Sequence, residues 1–175
     1  MITISGPPGS GTSTLVAKIS QSRGWNSLNG GDVFREEAAR RGISVEELSA
    51  EAKDDLDVDR ALDSLLQERM RSTESPEIVE SRLSGWWAHQ IGLDCLRVWV
   101  AVSEDERARR IQDREGGTIE ESLGRSKQRQ MDDMDRYMEL YQIDLDDLTP
   151  YNLVVDADDL DAEGVFNVVN SELGV

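Results

Sequence analysis

Short β-branched or apolar runs alternate along this chain with longer segments whose apolar residues recur every three to four positions. The first kind reads as strand and the second as amphipathic helix. Ile2-Thr3-Ile4 opens as a buried strand, and Leu15, Val16 and Ile19 mark a helix starting near Thr12. Trp25 to Leu28 predicts a second short strand. The break Asn29-Gly30-Gly31-Asp32 precedes a helix through Phe34 and Ala39, with Asp32 as its expected N-cap and Arg41-Gly42 as its end. Ser44 with Glu47 has the spacing of a capping box. Asp57 to Arg71 carries Leu62, Leu65, Leu66 and Met70 on one helical face.

The second half follows the same alternation. After turn residues Ser72 to Pro76, Glu77 to Glu80 predicts a strand, and Leu96 to Val102 is almost uninterruptedly apolar, as suits a strand covered on both faces. Ser103 to Glu115 is a capped helix stopped by Gly116-Gly117, and Thr118 caps a longer one reaching about Tyr141. Tyr151 to Val155 is the last strand and Leu160 to Leu173 the last helix. Strands alternating with helices predict an α/β fold with a parallel sheet of about five strands.

The loop between the first strand and helix changes the picture from fold to chemistry. Gly6-Pro7-Pro8-Gly9-Ser10-Gly11-Thr12-Ser13-Thr14 has the spacing of the phosphate-binding loop G-x-x-x-x-G-K-[ST], with threonine where the lysine stands. Backbone N–H groups of such a loop wrap an anion, aided by the positive end of the helix. The alternative is a tight turn without a ligand. Three glycines in one turn argue against it, because each costs backbone entropy. The loop points to a phosphate site more strongly than to phosphoryl transfer.

At net charge −17, with three lysines against sixteen arginines, the surface would repel nucleic acid and anionic membranes. Such a balance also matches proteins of salt-loving cells. From Arg97 to Arg136 nine basic residues face ten acidic ones, while the remainder carries ten and twenty-six, so arginine is concentrated in one region. Cys95 is the only cysteine, which excludes an internal disulfide and reads as a core residue. No apolar run approaches the roughly 18 residues that span a bilayer, and the N-terminus lacks signal-peptide character. A cytoplasmic, monomeric protein is expected. His89 beside Trp86 and Trp87 reads as packing. No Cys/His cluster has zinc-ligand spacing, and Asp144, Asp146 and Asp147 lack the glycine and terminal glutamate of a calcium loop.

Five blocks in order, GPPGSGTST, GGDVFRE, VESRLSGWW, ERARRIQDREG and RYMELYQIDLDDLTPYNLVVD, resemble the archaeal-type cytidylate kinases within the nucleoside monophosphate kinase family. Several archaeal members of that family also have threonine at the lysine position. The resemblance implies a single P-loop kinase domain with a helical monophosphate-binding insertion at about 32–75 and a lid at about 115–140. It implies transfer of the ATP γ-phosphoryl group to CMP and dCMP with Mg²⁺. Gly6 to Thr14 would hold ATP, and Ser13 would sit on Mg²⁺. Asp32, Arg35, Asp59, Arg60 and Arg82 would bind the acceptor; Asp63 matches the same helix pattern, though Ser64-Leu65 replace the arginine pair expected after it. Arg129 and Arg136 match the outer arginines of the lid pattern, with Met134 between them, and would supply the charge that Thr12 does not. Lys18 lies too far along its helix to do so. Two other readings stay open: a different small kinase such as an adenylate kinase, and a nucleotide binder without turnover.

The excess of carboxylates generates a first prediction. Raising KCl from about 0.1 M to above 1 M shortens the screening length from roughly 10 Å to 3 Å, so the melting temperature should climb across that range. A flat or falling melting curve series contradicts it.

Overall fold

The computed structural model describes residues 1–45, 47, 48, 51 and 55–174. Its elements are β1 (Ile2–Ser5), α1 (Thr12–Arg23), β2 (Ser27–Asn29), α2 (Gly30–Arg41), α3 (Leu56–Arg71), β3 (Ile78–Glu80), α4 (Ser84–Gln90), β4 (Leu96–Ala101), α5 (Glu104–Glu115), α6 (Ile119–Tyr141), β5 (Leu153–Asp156) and α7 (Ala162–Glu172). The sheet runs β2-β3-β1-β4-β5 with every pairing parallel. All carboxyl ends therefore share one edge. The chain leaves β1 for one side of the sheet and later returns to its other side, which opens a crevice at the end of β1.

Alternation along the strands divides the core. Ile2, Ile4, Ile78, Val98 and Val100 face α1 and α7, meeting Leu15, Ile19, Val165 and Val169. Val79 and Leu28 face the other side, against Leu83, Trp87, Leu66 and Met70. A third, small cluster of Ala38, Leu48 and Val58 holds α2 and α3 together. Beside it Glu37 is buried and accepts hydrogen bonds of 2.6–2.7 Å from Arg40 and Arg41, which hold its carboxyl down to about 2.

Three details depart from the sequence reading. The helix after β2 starts at Gly30 with Asn29 as N-cap, and Asp32 is the reciprocal partner three residues on, accepting from the Asn29 N–H at 3.3 Å. The Asn-Gly-Gly-Asp break holds two capping residues three apart, so both ends of one capping box look alike in sequence. β2 is shifted to Ser27–Asn29, and Trp25 instead packs under Arg23, 5.1 Å from its ring centre. The seven-residue α4 has no counterpart in the periodicity because SGWWAHQ is too short to show a helical period. The Ser44/Glu47 capping box is present, with bonds of 2.7 and 3.1 Å, while much of what it opens lies outside the described residues.

α4 is held against the end of β1. Ser5 Oγ donates to the Ser81 carbonyl at 2.8 Å, and Ser84 Oγ lies 3.1 Å from Ser5 Oγ. Gly85 admits the Tyr151 ring so closely that a Cβ there would sit 2.7 Å from Cδ1 and 2.9 Å from Cζ. Gly85→Ala should therefore destabilise the fold by roughly 1–3 kcal/mol, read as a lower denaturant midpoint. Gly124→Ala, on α6 with nothing within 4 Å of the new methyl, should instead stabilise by about 0.5–1 kcal/mol.

Candidate active site

The loop from Gly6 to Gly11 crosses the crevice at the end of β1. Gly6 has no room for a side chain, because a Cβ would lie 2.5 Å from Ser10 Oγ and 2.9 Å from the Val100 carbonyl. Gly11 takes φ 89° as the N-cap of α1 and gives the helix no side-chain cap. The first N–H groups of α1, at Thr12, Ser13 and Thr14, thus have no intrahelical acceptor and open onto a cleft of about 820 Å³. Uncapped helix N–H groups with the dipole behind them bind phosphate.

Sheet register sets what faces this loop. Ile4 pairs with Glu80, so the carboxylate at the end of β3 comes level with the start of the loop. Thr12 Oγ1 donates to Glu80 Oε1 at 2.6 Å, and Ser13 Oγ lies 3.5 Å from the same oxygen. A hydroxyl and a carboxylate beside a phosphate cradle suit Mg²⁺, which takes one or two protein oxygens plus substrate phosphates. Ser10 Oγ is buried in the loop with no partner among the described residues.

Positive charge reaches the loop from two arginines. Arg82, just past β3, donates through Nη1 to the Gly6 carbonyl, and its Nε is 2.7 Å from Asp133 Oδ2. Arg110 of α5 donates to the Ser10 carbonyl at 3.2 Å and to the Ala157 carbonyl at 2.6 Å. Asp133 also takes a 2.7 Å bond from Arg136, whose Nε faces Asp59 Oδ2 at 3.8 Å. Asp133 thus holds two arginines side by side on the wall between the loop and the far end of the cleft. Lys18 pairs with Glu163 at 2.7 Å and does not line the cleft.

The far end is apolar, with Val33, Phe34, Leu62 and Leu66 on its walls, and two carboxyl groups, Asp59 and Asp63, stand in it. Burial raises both. Asp63 is pushed up to about 6, and accepts a 2.7 Å bond from the Tyr141 hydroxyl, whose own ionisation burial pushes far above the usual range. Tyr137, lining the same end, is pushed up to about 12 by burial.

Of the residues singled out from sequence, Gly6 to Thr14, Asp59, Arg82 and Arg136 line the cleft. Asp32, Arg35, Arg60 and Arg129 do not. Arg35 is exposed at the second turn of α2, paired with Asp32 at 2.6 Å, and Arg60 points to solvent, paired with Asp57 at 2.6 Å. Arg129 is exposed two turns before Arg136 on a helix of 23 residues, about 34 Å long, whose C-terminal half alone reaches the cleft. Asp63, which matches the same helix pattern as Asp59, lines it too, and Glu80, Arg110, Arg114 and Asp133 line it without having been assigned a role from sequence. An acidic residue closing an apolar strand, and arginines four apart on one helix face, were the available signals for Glu80 and for the Arg110–Arg114 pair.

Asp63 carries a stability cost with a definite sign. A carboxyl whose native pKa is raised binds its proton more tightly when folded, so stability falls as pH rises from about 4 through 6. Asp63→Asn should stabilise the protein by roughly 1–3 kcal/mol at pH 7.5, an advantage that shrinks towards zero near pH 4. Denaturant titrations at the two pH values check it, and a variant less stable at pH 7.5 contradicts it.

Comparison with known proteins agrees with this geometry. The family described as AAA domain matches residues 5–137. The cytidylate kinase of Archaeoglobus fulgidus is 38% identical over 168 residues, which cover 96% of this chain and 91% of that one. The cytidylate kinase of Natronomonas pharaonis is 38% identical over 171 residues, 98% of this chain and 88% of its own. Among solved structures, the shikimate kinase of Bacteroides thetaiotaomicron superposes with a TM-score of 0.64 at 16% identity, covering 99% of this chain and 98% of that one. A gluconokinase of Sinorhizobium meliloti gives 0.62 at 16% identity, covering 98% and 90%. At that identity the two structures show the fold alone. The near full-length relatives show more: with its glycine loop, parallel sheet and arginine-walled cleft, the chain belongs to the AAA domain family of P-loop proteins and, within it, to the cytidylate kinases.

Proposed function

We propose that the protein is a cytidylate kinase that transfers the γ-phosphoryl group of ATP to CMP and dCMP, giving ADP and the corresponding diphosphate. The observation that supports this reading best is one cleft with two unlike ends. An uncapped helix start and glycine loop form one end, an apolar slot with carboxyl groups forms the other, and Arg82 and Arg136 stand between them. A donor triphosphate fits the first end and a nucleoside monophosphate the second. The transferring phosphoryl group then lies among the arginines.

In this reaction the bond between the γ-phosphorus and the β–γ bridging oxygen breaks, while a phosphate oxygen of CMP forms the new bond. That oxygen is already anionic, so no side chain has to remove a proton. The protein's work is positioning and charge neutralisation. Backbone N–H groups of Gly6 to Thr14 hold the donor phosphates. Ser13 Oγ and Glu80 would hold Mg²⁺, which would offset the charge of the donor phosphates. Arg82, Arg110 and Arg136 take the part usually filled by the loop lysine, with Arg35 gripping the acceptor phosphate from the rim and Asp32 steadying it. Residues 32–75 act as the monophosphate-binding insertion and 115–140 as a lid on a single kinase domain. The enzyme works as a cytoplasmic monomer.

Assaying ADP release with a panel of nucleoside monophosphates in high salt tests the reading. CMP and dCMP should be preferred; AMP as the preferred acceptor, or ATP binding without turnover, overturns it. Arg82→Ala and Arg136→Ala should each lower kcat/KM for CMP at least tenfold and up to about 10³-fold, on the scale between a lost charged hydrogen bond and a lost arginine finger. Arg129→Ala separates two geometries. A loss near that of Arg136→Ala means that the lid brings Arg129 inward on closing, and wild-type kinetics mean that it stays at the surface.

A further inference from the structure

Asp63 is the one feature of the cleft that neither the phosphate chemistry nor the packing accounts for. It stands at the apolar end, with Val33, Phe34, Leu62 and Leu66 around the same space. Its hydrogen-bond partner is the Tyr141 hydroxyl, at 2.7 Å to one oxygen; the buried Trp87 indole N–H, without a hydrogen-bond partner of its own among the described residues, also lies near the carboxyl, and no ion pair forms with it among those residues. Tyr141 is in turn fixed by an edge-on contact with Trp87, ring centres 4.9 Å apart. Asp59, one turn earlier on α3, differs in kind. Its carboxylate faces Arg136 at 3.8 Å and so belongs to the charged wall where phosphates are expected.

Burying a carboxyl without a counter-ion is costly, and the rise of Asp63 to about 6, caused chiefly by burial, expresses that cost. A residue that weakens the fold and faces a cleft is explained by a ligand that completes it. Resting on the kinase reading above, we propose that Asp63 is the specificity-determining residue for the acceptor base: Tyr141 holds one carboxylate oxygen, and the other accepts a hydrogen bond from the exocyclic amine of cytosine. Apolar walls suit the faces of a planar base. The edge that meets Asp63 then decides between pyrimidines. Cytosine presents an amine donor at that position, and Asp and Glu accept from it; uracil presents a carbonyl oxygen, which a carboxylate repels. A site whose buried polar group is left unpaired by the wrong base rejects that base strongly.

The test is the ratio of kcat/KM for CMP to that for UMP, measured at pH 7.5 in wild type, Asp63→Asn and Tyr141→Phe. The carboxamide offers a donor as well as an acceptor, so Asp63→Asn should lower the ratio by about 10- to 100-fold, the range expected for one base-reading contact. The KM for ATP should stay the same, since the donor end is untouched. Tyr141→Phe keeps the ring against Trp87 and frees the carboxyl. It should lower the ratio several-fold, through a higher KM for CMP and a nearly unchanged kcat. Calorimetric binding of CMP and UMP reads the same ratio if a variant turns over slowly. If Asp63→Asn does not fold, Tyr141→Phe decides alone. A CMP-selective wild type whose ratio is unchanged in the folded variants overturns this assignment and leaves the kinase reading standing. A wild type that phosphorylates no CMP overturns both.

Discussion

The uncapped start of α1 is the constraint on which the rest of the site depends. A helix leaves its first N–H groups without acceptors, and most helices among the described residues answer with a side chain: Asn29, Asp55, Ser103, Thr118 and Asp161 each accept from a first-turn N–H. Only glycine stands at that place before α1, in a left-handed conformation. The donors that a serine or aspartate would have satisfied are thereby left open to the cleft. Putting them at the end of β1, where the strand order reverses, opens them to the crevice rather than to a neighbouring element.

Charge is arranged around that opening by carboxylates as much as by arginines. Asp133 is shared between Arg82 and Arg136, and Glu106 pairs with Arg110 at 3.0 Å. These acids hold the guanidinium groups in place and lower their mutual repulsion. Their cost is a weaker net positive field. In a chain of net charge −17 that arrangement localises cations on the wall of the cleft. Thr12 fits the same logic. Its hydroxyl donates to Glu80 at 2.6 Å and so orients that carboxylate.

Much of the molecule was legible in the sequence because its signals are local. Strand alternation, helix caps at Ser103 and Thr118, the glycine stops at 42 and 116, and the glycine loop all act within a few residues of where they stand. The order of elements followed from them, and with it the parallel sheet. Misreadings arose where local signals are degenerate. Asn29 and Asp32 are the two halves of one capping box, and α4 is too short to show a period.

The tertiary structure decided which charged residues meet. Helical period marks the apolar face that packs; it does not say where along a 34 Å helix a cleft begins, so Arg136 and Arg129 look equivalent until α6 is packed in place. Arg60 and Asp63 sit three residues apart on α3, yet one points to solvent and the other into the cleft. Glu80 reaches Thr12 only through the register of β3 beside β1, a pairing across nearly seventy residues of chain. The sequence by itself determined which loop joins β1 to α1 and that glycine stands at the start of that helix, since backbone conformation near a glycine is a short-range matter. Which acids and arginines complete the site depended on packing between distant elements, where long polar side chains have no period to announce them.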